Sequence, residues 1–143
     1  MANHLSSTED QAFRTQFESG TFPPAEFDHR AHLRLAYGYL TEHDSETAYQ
    51  LMREALLAFL EHNGVDPSKY HDTMTRAWTL AVRHFMEATS SQDSADSFIE
   101  QNPEMLDSKI MMTHYSAQVL FSDEARRAQY VEPDLDPIPQ HGG

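Results

Sequence analysis

The sequence predicts an all-α protein, a single-domain antiparallel bundle of about four to five main helices followed by an extended, proline-rich tail. Three observations predict this class. Apolar residues recur at helical spacing in several segments, no segment of useful length alternates as a strand does, and short capping and breaking signals separate the segments. At 143 residues and 39% hydrophobic content, the chain is long enough for one sizeable core and is read as one domain, 1–143.

Each element has its own signals. Residues 1–7 are expected to be a flexible arm. Ser7 or Thr8 suits the N-cap of a first short helix, Glu9 and Asp10 suit its positive end, and Phe13 and Phe17 give it one apolar side. Ser19-Gly20 ends it, and Thr21-Phe-Pro-Pro24 is extended. Asp28 then caps a helix reaching about Glu42, with Leu33, Ala36, Tyr37 and Leu40 on its buried face. Asp44 or Ser45 caps the next helix, whose Ala48, Leu51, Met52, Ala55, Leu56, Phe59 and Leu60 follow the helical period until Asn63-Gly64. Asp66-Pro67 reads as N-cap and first position of a helix carrying His71, Met74, Trp78, Ala81, Val82 and Phe85. A polar loop, Thr89–Ser94, leads to a short helix holding Phe98 and Ile99 that stops at Asn102-Pro103. Asp107 caps a helix over Ser108–Leu120, with Ile110, His114, Ala117 and Phe121 in line. A final short helix opens at Ser122, and the tail 131–143 is extended, with Val131, Leu135 and Ile138 packed along the body.

Composition narrows the function classes. The formal net charge of −13 repels phosphate backbones and argues against nucleic acid as a partner. No run of about 18 apolar residues occurs, so no membrane span is expected. The opening Met-Ala-Asn-His-Leu-Ser-Ser has neither a basic region nor an apolar core and is not read as a signal peptide. There is no cysteine, hence no disulfide framework and no thiolate chemistry. A bacterial-type cytoplasmic protein is the default.

The nine histidines carry the chemistry. His29 and His32 stand three apart at the start of a helix, so they share a face, and that face continues through Leu33, Ala36 and Leu40. His71 and His114 fall on apolar stripes of two other helices. Meeting inside a bundle, His29, His32, His71 and His114 form a ligand set suited to a first-row transition metal such as iron, zinc or copper, and unsuited to magnesium or calcium. The competing reading is structural, since a lone histidine on an apolar face is most often a hydrogen-bonded core residue. Arg30, Arg34, Arg76 and Tyr115 flank the histidines and suit a carboxylate or phosphate of a small substrate; equally, Arg34 and Arg76 suit pairing with the carboxylates of so acidic a chain. His4 and His141, near the ends, are expected to be exposed. There is no Gly-x-Ser-x-Gly elbow and no glycine-rich phosphate loop.

Phe27-Asp-His-Arg-Ala-His-Leu-Arg-Leu-Ala36, Lys69-Tyr-His-Asp-Thr-Met-Thr-Arg-Ala-Trp78, Thr113-His-Tyr-Ser116 and Val131-Glu-Pro-Asp-Leu-Asp-Pro-Ile-Pro139 resemble a family of small, uncharacterised bacterial all-helical proteins, over roughly residues 27 to 139. The resemblance implies that the three histidine segments and the proline tail belong to one fold, and it implies no activity. The chain departs from that pattern at Asp72, where the family would carry glutamate. The pair His71-Asp72 also resembles the metal-binding doublet of HD-type phosphohydrolases, a two-residue motif on a chain short for that fold.

Two functional readings follow. In one, the protein is a metal-dependent enzyme acting on a small molecule through its histidine cluster. In the other, it is a non-catalytic helical module that binds a small ligand or a protein, with structural histidines. Tyr37, Tyr39 and Tyr49 cannot share one buried stripe, which points to an interface such as a homodimer contact.

Overall fold

The computed structural model describes residues 4–66 and 70–107, together with 110 and 135. Among these the fold is an all-α helical bundle without strands: α1 (Thr8–Glu18), α2 (His29–Leu40), α3 (Ser45–His62), α4 (Asp72–Ala88) and α5 (Ala95–Gln101), with 3₁₀ turns at Pro24–Glu26 and Pro103–Leu106. The helix expected from Ser108, with His114 and Tyr115, the helix from Ser122, the tail 131–143 and His141 lie outside the described residues, apart from Ile110 and Leu135. No helix among the described residues is long and apolar enough to cross a membrane.

Most helix starts follow from short polar side chains that take up orphan backbone N–H groups. The side chain of Ser7 accepts from Asp10 N and Asp10 reciprocates, a capping box. Asp28 accepts from Ala31 N, Asp44 from Thr47 N and Ser94 from Ser97 N. That bond holds the Asp44 carboxyl below its ordinary pKa. After α1 the chain turns at Gly20, where φ is +78° and a Cβ would come within 2.5 Å of the His62 ring; both facts require glycine there.

α2, α3 and α4 pack against one another in all three pairings, α1 lies on α2 and α3, and α5 on α2. Their shared core holds Leu33, Leu35, Ala36, Tyr37, Met52, Trp78, Val82, Phe98 and Ile99. Buried Asp10 ties three elements together: it accepts from Ser7 N (3.0 Å) and Ala95 N (2.9 Å) and faces Arg34 at 3.8 Å.

The start of α4 corrects the sequence reading. Asp66-Pro67 is a strong local signal, yet the helix begins at Asp72, and His71 is its N-cap, with Nδ1 accepting from Met74 N at 3.1 Å. The reason is tertiary. The Asp72 carboxylate is fully buried and accepts from Tyr49 Oη (2.7 and 2.8 Å) and Tyr70 Oη (2.9 Å), with Arg53 Nε at 3.4 Å. This anchor sets where the helix starts. α4 is also buried on more sides than its stripe predicts. Thr73, Thr75 and Thr79 are all buried, and the hydroxyls of Thr75 and Thr79 donate back to the carbonyls of His71 and Thr75.

Two further expectations are corrected. The arm is docked over residues 4–7, and His4 is buried instead of exposed. Its Nε2 donates to Met86 O (2.7 Å) and its ring stands edge-on to Tyr37 and Phe98. The tyrosines expected at an interface point into the fold. Tyr37 donates to Leu5 O, Tyr39 to Glu18 and Tyr49 to Asp72. Burial raises the pKa of all three above the ordinary tyrosine value, Tyr49 to about 12. With their hydroxyls spent internally, they no longer indicate a dimer contact.

Candidate functional site

The residues that cap and connect the helices also shape a cavity. Its volume is about 350 Å³, within the range of small-molecule pockets. α3 supplies Leu56, Phe59 and Leu60; α4 supplies Met74 and Thr75; α2 supplies His32. Pro24 and Phe27 close one side, and Asn63, Val65, Tyr70 and His71 the other. The apolar wall follows from helical spacing, since Leu56, Phe59 and Leu60 lie on one face of α3.

The wall's polar groups are mostly committed. Tyr70 Oη donates to Asp72, and burial, first of all, raises its pKa. Thr75 Oγ1 donates to His71 O, Asn63 Nδ2 to Phe59 O (2.8 Å), and His71 Nδ1 serves as the α4 cap. His32 differs. Its ring meets the edge of Phe27 at 6.2 Å and makes no hydrogen bond among the described residues. Burial, reinforced by the adjacent His29, pushes its imidazole down to about 4. His32 is therefore neutral at physiological pH, with one ring N–H donor and one ring nitrogen acceptor.

Of the residues expected to form the site, His32 and His71 meet at this cavity. His29, one turn before His32, is committed elsewhere: Nε2 donates to Met105 O at 2.8 Å and the ring packs edge-on against Trp78, 4.7 Å between centroids. Thus the i, i+3 pair shares a helix face but not a target. Arg30 pairs with Asp96 (2.9 Å), Arg34 with Asp10 while stacking over Phe13 (4.4 Å), and Arg76 with Glu46 (2.9 Å) while stacking over Tyr49 (5.0 Å). None of the three arginines is among the residues lining the cavity.

His114 of the expected metal set lies outside the described residues. Among the described residues, no three His, Asp or Glu side chains gather closely enough to hold an ion. His29 Nε2 and His71 Nδ1 each bond to a backbone group, and both Asp72 oxygens accept from tyrosines. The His71-Asp72 doublet therefore works as a helix start: one residue caps, the next anchors.

Sequence reasoning missed Phe27, Leu56, Phe59, Leu60, Asn63 and Val65 as cavity residues. Phe59 and its α3 neighbours were legible as core, but helical periodicity does not show where a core leaves a void. Phe27, next to the His-x-x-His segment, and Tyr70, next to His71, were the available signals. In comparisons with known proteins, no family model matches the chain, and no curated protein or solved structure matches it.

Proposed function

We propose that the protein is a helical module that binds a small, largely apolar molecule in the cavity between α2, α3 and α4. One observation carries this reading. A cavity of about 350 Å³ lined mostly by apolar side chains has on its wall the ring of His32, which makes no hydrogen bond among the described residues. A half-buried imidazole on a cavity wall, with no hydrogen bond among the described residues, is a point where a ligand can be met. Catalysis does not enter this reading, because the other polar groups on the wall have structural partners.

The test is an NMR titration of methyl-labelled protein with a panel of uncharged apolar fragments. Saturable shifts are expected at the methyl groups of Leu60 and Met74, and they are expected to vanish in Leu56→Trp, which fills the cavity. A panel that moves none of these methyls, or moves them equally in Leu56→Trp, rejects the cavity as a binding site.

A further inference from the structure

The chemical class of the occupant can be read from the wall. None of the described lining residues is Asp, Glu, Lys or Arg, so among them an ionised ligand group finds no counter-charge, and burying it there is costly. The surface field has the same consequence for anions, because the chain carries a net charge of −13. Tyr70, Thr75, Asn63 and His71 are engaged by their own neighbours. His32 offers one donor and one acceptor on a single ring. A hydroxyl is the smallest neutral group that complements either. The aromatic rings of Phe27 and Phe59, with centroids 5.6 Å apart, and the Met74 thioether suit a flat apolar body.

We propose that the cavity takes an uncharged, hydroxyl-bearing apolar molecule, of the phenol or aryl-alcohol class, whose hydroxyl group hydrogen-bonds to the ring of His32. This inference rests on the cavity being a ligand site. It adds that the ligand is neutral and that His32 selects its hydroxyl.

Three probes of one shape separate these points at neutral pH: 1-naphthol, naphthalene and 1-naphthoate, each measured by the same NMR titration. 1-Naphthol is expected to bind roughly fivefold more tightly than naphthalene, the worth of one net hydrogen bond. 1-Naphthoate is expected to bind more than about a hundredfold more weakly than 1-naphthol. His32→Leu should erase the advantage of naphthol over naphthalene while leaving naphthalene bound. His32→Gln, which keeps a neutral donor and acceptor, should restore part of it, and a melting curve for each variant confirms that it is folded. Naphthoate binding as tightly as naphthol overturns neutrality. Naphthol and naphthalene binding equally to the wild type, or an advantage that survives in His32→Leu, overturns the role of His32, and in either case the cavity still stands as a binding site. Binding by none of the three overturns the cavity reading, and the inference with it.

Discussion

Two polar centres, one buried at Asp72 and one half-buried at His32, are finished to different degrees. At the first, the Asp72 carboxylate has two tyrosine hydroxyls and a nearby guanidinium around it. At the second, His32 sits beside a cavity with an aromatic edge as its closest ring neighbour and no hydrogen bond among the described residues. Tyr70 belongs to both: its hydroxyl serves Asp72 and it also lines the cavity. Saturation is the signature of structure, because a fully satisfied buried network fixes one arrangement. On the proposed reading, the capacity that His32 leaves unused among the described residues serves a ligand. The comparison therefore predicts opposite responses to mutation at the two centres.

The largest response is expected at Asp72. Asp72→Ala strips the hydroxyls of half-buried Tyr49 and buried Tyr70 of their acceptor and Arg53 of its counter-ion, and it removes the anchor that starts α4. A loss of about 3–5 kcal/mol is expected, as for breaking a buried charged network, measured by urea unfolding. A loss below about 1 kcal/mol, the range of an ordinary surface ion pair, would remove the distinction between the two centres.

Proton linkage gives the next effect, at His32. Its imidazole titrates near 6.5 when unfolded and is lowered to about 4 in the fold, so between these values the unfolded chain binds the extra proton. The stability that comes from keeping His32 neutral is complete above about pH 6.5. It falls as the pH drops and is gone near pH 4, for a total on the order of 3 kcal/mol. Unfolding curves across that window should show His32→Leu losing less stability on acidification than the wild type. Parallel pH dependences in the two proteins would mean that the His32 ring is hydrated in the fold, and the contrast with Asp72 would weaken.

Both centres were partly legible in the sequence, for different physical reasons. Helix caps are local, so Ser7, Asp28 and Asp44 could be read from their neighbours alone, and each caps its helix as expected. The inward face of His32 followed from the helical period. What escaped was set by partners distant in sequence. His29 turns to a carbonyl 76 residues away, His4 docks 82 residues away, and Asp72 draws the start of α4 past the more obvious Asp66-Pro67 signal. Periodicity locates the buried face of each helix but says nothing about how tightly three such faces meet. The cavity is a property of that meeting and was legible in no single segment.

The smallest expected change in stability is the one that tests the idea most sharply. At neutral pH, His32→Leu exchanges a neutral ring, which has no hydrogen-bond partner among the described residues, for an apolar side chain of similar bulk. No donor or acceptor among the described residues is orphaned, so the usual penalty for deleting a buried polar group does not arise. The expected change lies within about 1 kcal/mol of zero, as read from the urea midpoint at neutral pH. A loss of several kcal/mol would show that His32 holds a structural bond after all, and the two centres would then be of one kind. Unchanged stability, together with the lost hydroxyl preference, would set His32 apart from Asp72 as a residue retained for what enters the cavity, since the fold stands equally well without it.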